Sequence, residues 1–286
     1  VVKIVAPYAV HDHAGIQQAA LDALNNSDEK NVYAASFALK AVYPLVKDIH
    51  KQGYNARGVS YVVASAGRNF PALAGQSLDA LHEIADNKDL KGYFVRSNVE
   101  DYIATLGAKH ADEAGKAVGY LKDLIVKSKH PSNIARGMYN IAHKRPAYVQ
   151  DAYDALVYAT THGRNSNSVD DLLGLANENK SYLPQAFSFL KTLKGEKTKI
   201  FYDSTTLYEI VSTARNNLEY LDDSIDLMNA IHGYAQQDDS KSSAYVMPKI
   251  KRMMKWQSEL KEAVKNGRLK VKPRNDTNTK PADLAP

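Results

Sequence analysis

Two histidines flank an aspartate near the start of the chain, at His11, Asp12 and His13. Imidazole nitrogens at this spacing can bind a transition metal from an extended segment, and the carboxylate supplies a third, oxygen ligand. The same residues also fit a structural role, because an apolar helical run starts at about Ala14 and helices commonly begin with a polar capping residue. We favour the cap, and we predict that the chain binds neither a metal nor another cofactor.

A second group of candidate residues is basic and falls in short polar turns. Lined up along one edge of the protein, such cations would attract a phosphate backbone or an acidic protein surface. The alternative is local, since a cation near the C-terminal end of a helix stabilises the helix dipole without any partner. The residues concerned are Arg68, Lys109, Lys144, Arg145, Lys180 and Arg215.

The C-terminal segment carries the remaining basic candidates, Lys251, Arg252 and Lys255, beside Trp256, the only tryptophan in the sequence. Residues 247–286 contain 11 Lys and Arg against 4 Asp and Glu, whereas the other 246 residues contain 26 against 28. The net charge of +5 therefore belongs to this segment. Basic amphipathic helices bind membrane surfaces or nucleic acids, although a solvated capping helix has the same composition.

Several kinds of chemistry lack the residues that they require. The chain has no cysteine, which excludes disulfides, thiolate catalysis and cysteine-bound metals. Gly195-Glu196-Lys197-Thr198 lacks the upstream glycine of a phosphate-binding loop. The remaining histidines are scattered singly, so no catalytic residue is predicted. The first residue is Val1, which indicates a processed chain or a fragment, and no apolar run reaches the length of a membrane span.

The elements that position these residues form an internal repeat. A small residue is followed by apolar residues four and seven positions later, which is one stripe of an α-helix. These small anchors are separated by 39, 40, 38, 34 and 38 residues. They are Ala35, Ala74, Ala114, Ala152, Ala186 and Ser224.

A first helix precedes the helix of each of the last five anchors, and its apolar stretch closes in an alanine ten residues before the anchor. These alanines are Ala64, Ala104, Ala142, Ala176 and Ala214. The period and the helix–turn–helix layout resemble HEAT-like repeats over roughly residues 14–236. The resemblance implies an all-α protein, a right-handed α-solenoid of about five to six HEAT-like helical hairpins with a C-terminal capping helix.

The rest of the chain departs from this period. We expect a lead-in at 1–13, the repeat domain at 14–236, a linker at 237–247, a basic capping helix at 248–268 and a disordered basic tail at 269–286. Proline placement agrees, because Pro71, Pro131 and Pro248 fall at expected helix starts. Pro44 is the exception and is expected to kink or end its helix.

Solenoids present long continuous surfaces and seldom enclose a catalytic pocket. The sequence therefore favours a non-enzymatic binding or scaffolding protein with a protein partner. One alternative is a nucleic-acid-binding repeat protein that uses the basic turns and the C-terminal helix. The other is an enzyme on the same scaffold, for which the sequence offers no catalytic residue. A cytoplasmic location is favoured over secretion, and the compartment and the oligomeric state are left open.

Overall fold

A computed structural model of the chain describes residues 2–10, 14–28, 31–49, 56–87, 93–163, 166–193, 201–238 and 240–272. Within these ranges every regular element is helical, which confirms the all-α prediction. The chain divides into two compact units, Val1–Ala155 and Leu156–Pro286, with the division inside one helix. The cluster His11-Asp12-His13 lies outside the described residues.

The first unit consists of consecutive helices that pack against the next one or two along the chain. Thus α4 contacts α5 and α6, and α6 contacts α7 and α8. A 3₁₀ turn, Ala111–Glu113, leads into α7 and another, Pro146–Tyr148, leads into α9. The helices are α1 (Val2–Val5), α2 (Ala14–Asp28), α3 (Val32–Lys47), α4 (Ala56–Asn69), α5 (Pro71–Asp86), α6 (Tyr93–Lys109), α7 (Ala114–Ile125) and α8 (Pro131–Lys144), and the division falls inside α9 (Val149–His162).

The second unit repeats this packing of near neighbours. Here α10 contacts α11 and α12, and the last helix, α14, packs against both α12 and α13. Within the described residues no helix has the length and apolar character needed to cross a bilayer. The helices are α10 (Asn167–Glu178), α11 (Leu183–Thr192), α12 (Ser204–Asn216), α13 (Leu221–Gln237) and α14 (Lys241–Lys265).

The small anchors of the repeat form the centre of the helix contacts. All six, from Ala35 to Ser224, are fully buried, with 0% of their surface exposed. The five alanines that lie ten residues before the later anchors are also buried, none with more than 6% exposed. Every anchor and every one of these alanines therefore lies in the core.

Two glycines show how closely neighbouring helices approach. A Cβ atom built on Gly67 would lie 2.6 Å from the Cβ of Ser77, and one on Gly107 would lie 2.5 Å from the Cβ of Ala117. Both distances are shorter than any side-chain contact allows, and neither neighbour can swing away. These positions require glycine because there is no room for a methyl group.

Two prolines do not lie at the helix boundaries expected of them, an end for Pro44 and a start for Pro248. Pro44 lies inside α3, which continues to Lys47, and Pro248 lies inside α14. Both prolines are exposed, as are Lys40 and Ala244, whose carbonyl groups lose their usual partner four residues on. Water can satisfy those carbonyls, so the helices tolerate the rings. Pro71 and Pro131 do begin helices, as predicted.

The last helix begins at Lys241, seven residues before its expected start, and takes in most of the segment read as a linker. Its first turn is capped by Ser240, whose Oγ accepts a hydrogen bond of 3.2 Å from the amide of Ser243. Ser240 is the residue in the sequence that indicates the true helix start, because a serine at this position satisfies an otherwise unpaired amide. The prediction from the sequence places the start at Pro248 instead.

Replacing Gly107 by alanine tests the packing and is expected to destabilise the protein. The new methyl would overpack the contact with Ala117, at a cost of about 1–3 kcal/mol, and this outweighs the gain in helix propensity of about 1 kcal/mol. Gly119→Ala is the matched control, since Gly119 also lies within a helix but has no atom within 4 Å of a built Cβ. Urea unfolding should show opposite signs for the two variants, and a stabilised Gly107→Ala protein would contradict the packing.

Candidate functional site

The basic residues of the first unit lie at the C-terminal ends of first helices. Lys109 is the last residue of α6, Lys144 is the last residue of α8, and Arg145 follows it. Arg68 lies in the last turn of α4 and is half-buried. All four therefore have the position at which a cation stabilises a helix dipole.

Some turn side chains of the first unit bond to the preceding turn. The Nη2 of Arg145 donates a hydrogen bond of 3.4 Å to the carbonyl of Lys109, and the Nε2 of His110 donates one of 3.0 Å to the carbonyl of Gly67. Each bond satisfies a carbonyl at the end of a helix, which has no partner in its own helix. At least one donor of Arg145 is thus used within the fold.

Lys109 and Lys144 do share a surface. They line a depression of about 550 Å³ between α6 and α8, together with Asp101 and Asn140. Burial raises the pKa of the Asp101 carboxyl, and the charge of Arg136 opposes that rise. The depression combines two cations with a carboxylate, so it has no strong preference for an anion.

In the second unit a buried polar network positions Lys180. Its Nζ donates a hydrogen bond of 2.7 Å to the Oδ1 of Asn217, a residue with 4% of its surface exposed. The Nδ2 of Asn217 donates to the Oδ1 of Asn177 at 2.9 Å and to the carbonyl of Thr213 at 2.8 Å. The Nδ2 of Asn177 donates to the Oγ1 of Thr213 at 2.8 Å. These bonds fix one edge of the turn that follows α10.

Helix α14 is held in place by a row of buried side chains, four or three residues apart, and one buried hydrogen bond. The row is Val246, Ile250, Met253 and Gln257. The Nε2 of Gln257 donates a hydrogen bond of 2.6 Å to the Oγ of Ser224, the anchor of α13. The amide is 1% exposed and the serine 0%, so the bond is shielded from water.

A cleft of about 450 Å³ lies between α12 and α14. Its walls are mostly apolar, with Tyr208 and Val211 contributed by α12 and Trp256 and Leu260 by α14. Arg215 and Glu259 are the charged residues that line it. Volume and lining are in the range of sites that receive a small ligand or a side chain of another protein.

Trp256 is held from two sides. The ring of Tyr208 meets it edge-on, with ring centres 6.4 Å apart and planes at 74°. The guanidinium of Arg252 lies 5.0 Å from the ring centre, which is a cation–π contact. These neighbours position the indole, and Arg252 covers one of its faces.

The far end of the cleft is closed by the chain after α14. Gly267 has φ +70°, and the amide of Arg268 donates a hydrogen bond of 2.9 Å to the carbonyl of Ala263. A second bond of 3.0 Å joins the amide of Gly267 to the carbonyl of Val264. This pair is the Schellman arrangement, which reverses the chain at a helix end. The reversal brings Leu269 into the lining of the cleft.

A second, basic pocket of about 570 Å³ adjoins the cleft. The two share Arg215 and Leu218. The pocket adds Lys180 from the turn after α10 and Lys270 and Lys272 from the C-terminal segment. We call these four cations, Lys180, Arg215, Lys270 and Lys272, the basic rim.

The structure thus brings together only part of the sequence-derived set. Lys180 and Arg215 share the basic rim, and Arg215 shares the cleft with Trp256. Lys251 and Lys255 are exposed on α14 and are absent from both linings, and Lys255 lies 3.9 Å from Glu259.

Sequence reasoning missed Tyr208 and the lining by Leu269, Lys270 and Lys272, which it assigned to the tail. The signal for these last three was Asn266-Gly267, a sequence that ends a helix and turns the chain back.

Comparison with solved structures finds similarity to the crystal structure of an engineered protein, a target of a structural genomics consortium, whose sequence is 14% identical to this chain. The match covers 90% of this chain and 97% of that one, with a TM-score of 0.44. A computationally designed, self-assembling cyclic homo-oligomer matches with 13% identity, 92% and 88% coverage and a TM-score of 0.17. No protein-family model and no curated protein matches the chain. Its function must therefore be argued from its own residues.

Removing the side chain of Gln257 is expected to weaken the docking of α14. Gln257→Ala loses a buried hydrogen bond and leaves space in the contact with Ser224, at a cost of about 1–3 kcal/mol. Ser258→Ala, at an exposed neighbouring position, should change stability by less than about 0.5 kcal/mol. Chemical unfolding of both variants checks this, and equal stabilities would mean that the buried bond contributes nothing.

Gly267→Ala is expected to open the far end of the cleft. An alanine at φ +70° costs about 1–2 kcal/mol, so the chain reversal that places Leu269 beside Trp256 is weakened. The tryptophan emission should shift to longer wavelength as the ring gains water. In Gly233→Ala the new methyl meets no atom within 4 Å, and the emission should be unchanged. An unshifted Gly267→Ala spectrum would argue against this closure.

Proposed function

We propose that this protein is a non-enzymatic binding protein whose partner is another protein, and that the cleft between α12 and α14 receives an apolar side chain of that partner. The observation that supports the proposal is the cleft itself, about 450 Å³ in volume, lined by aliphatic side chains with Tyr208 and Trp256 at its edge. Tryptophan and tyrosine beside an apolar hollow are typical of the residues that contribute most to protein–protein binding.

Preorganisation supports the same function. Tyr208 is 47% exposed, yet its ring packs edge-on against Trp256, and Arg252 lies over the indole. Gln257, the residue after Trp256, is anchored in the core through Ser224. A partner therefore meets side chains that are already ordered, so less conformational entropy is lost on binding.

The ring geometry favours a peptide over a nucleic acid. Single-stranded nucleic acids bind through bases stacked on open aromatic faces. Here Arg252 occupies a position over the indole of Trp256 and Tyr208 meets that ring edge-on. The rest of the lining is aliphatic, with Val211, Leu218 and Leu260, which suits an inserted apolar side chain.

We also propose that the hairpins continue as a right-handed α-solenoid of about five to six units, followed by a capping helix. The repeat in the sequence is one support. The other is that, within each unit, polar contacts join side chains about one repeat apart. Lys127 pairs with Asp86, 41 residues earlier, at 2.9 Å, and Thr206 bonds to Asp170, 36 residues earlier, at 2.7 Å.

To test the proposal, peptides that bind the full chain are selected from a random library. Their affinity is then measured for matched pairs of protein variants. Trp256→Ala should weaken binding by at least about 2 kcal/mol, since it removes a central aromatic contact. Tyr245→Ala is its control, because Tyr245 also lies on α14 with a cation over its ring, Lys249 at 3.8 Å, but outside the cleft.

A second pair repeats the comparison on smaller side chains. Leu269→Ala should weaken binding by about 1 kcal/mol, and Val271→Ala, equally apolar and exposed but outside the lining, should not. Circular dichroism confirms that each variant is folded. If the selected peptides bind all four variants as tightly as the parent, the cleft is not the binding site.

A further inference from the structure

We infer that the partner segment is acidic, with Asp or Glu carboxylates that contact the basic rim while an adjacent apolar side chain occupies the cleft. This inference rests on the proposed function and names the chemistry of the partner at the same site. Its basis is the juxtaposition of an apolar cleft with a pocket lined by Lys180, Arg215, Lys270 and Lys272.

The charge of the basic rim is largely uncompensated. Four cations line the pocket, and Glu219 is the acidic residue among its lining. Among the described residues, Arg215, Lys270 and Lys272 have no carboxylate partner within 4.0 Å. The four cations outnumber the one carboxylate of the lining, so an incoming carboxylate relieves part of their mutual repulsion as well as forming its own contacts.

Lys180 is a fixed member of this group. Its ammonium donates one hydrogen bond to Asn217, whose amide is bound in turn to Asn177 and to the carbonyl of Thr213. An ammonium has three donors, so the Nζ keeps donors for a ligand while the asparagine holds it in place. Neutral Asn217 positions the lysine without neutralising it, which is what an anion site requires.

The cleft and the basic rim are continuous, because Arg215 and Leu218 line both. One short peptide can therefore place an apolar side chain against Trp256 and Leu260 and carboxylates beside Lys180 and Arg215. The cations come from three separate segments, the turn after α10, the end of α12 and the chain after α14. Such a spread fits two or more carboxylates better than one compact anion.

The experiment uses the full chain and two displayed peptide libraries with the same fixed apolar residue. One library allows Asp and Glu around that residue, and the other has Asn and Gln instead. The acidic library should yield Trp256-dependent binders that the amide library does not. Raising NaCl from about 50 mM to about 500 mM should weaken these binders, because the Debye length falls from above 10 Å to below 5 Å.

Charge-removing variants locate the carboxylate contacts. Lys180→Gln, Arg215→Gln and the double variant Lys270→Gln/Lys272→Gln should each weaken the acidic peptides about two- to fivefold at low salt. Lys251→Gln removes the same charge from an exposed site outside both linings and should have no effect. Fluorescence anisotropy of labelled peptides measures all four.

The possible failures are distinguishable. Equal yields from the two libraries, or equal effects of Lys180→Gln and Lys251→Gln, would overturn the acidic partner and leave the cleft proposal intact. If neither library yields a Trp256-dependent peptide, both proposals are wrong. A single-stranded oligonucleotide that binds the parent more tightly than the acidic peptides, and loses affinity in the same variants, would replace the peptide with a nucleic acid.

Discussion

The backbone of α6 passes so close to α7 at Gly107 that a methyl group there would lie 2.5 Å from the Cβ of Ala117. The same approach occurs one repeat earlier, where Gly67 meets Ser77. Because these side chains are so small, the larger apolar residues on either side reach into the neighbouring helix and are fully buried. In the first unit, this close approach brings the helices on either side of the turns into direct contact.

Close packing of helix ends can leave carbonyl groups without a hydrogen bond, because the last carbonyls of each first helix have no partner in their own helix. The first unit satisfies such carbonyls with side chains from the following repeat. His110 donates to Gly67 and Arg145 donates to Lys109. In the second unit Asn217 instead donates to the carbonyl of Thr213, four residues earlier, and to the side chain of Asn177 in the preceding repeat. The cations at the turns therefore have two different roles. Arg145 satisfies a carbonyl at a helix end, whereas Lys180 is positioned by the side chain of Asn217.

The anchors were predictable because buried residues recur with the period of the helix, and this pattern of small and apolar residues is visible in the sequence without knowledge of which helices pack together. Helix ends were less predictable. A proline usually marks the first turn of a helix, but Pro248 lies inside α14, which begins after the capping residue Ser240. The cleft was not predictable. Arg215 and Trp256 were candidates for separate reasons, but only the docking of α14 brings them to one surface. Nothing in the spacing of residues more than 40 apart reports such a contact.

The cleft exists because α14 presents two rows of side chains and only one is fully packed. Val246, Ile250, Met253 and Gln257 form the first row and are buried. The second row contains Trp256 and Leu260 and faces α12, whose matching positions are Tyr208, Ser212 and Arg215. A serine between a large aromatic ring and an arginine cannot fill the space that an aliphatic row would fill.

Apolar surface left open in this way lowers the stability of the isolated protein by roughly 25 cal/mol for each Å² that stays in water. A side chain from a partner recovers that free energy on binding. The residues that leave the gap also flank the uncompensated charge of the basic rim, with Arg215 in both. The unfilled packing and the cationic charge thus meet at Arg215, while the other three cations of the basic rim come from the turn after α10 and from the chain after α14. An acidic segment with one apolar side chain would satisfy both.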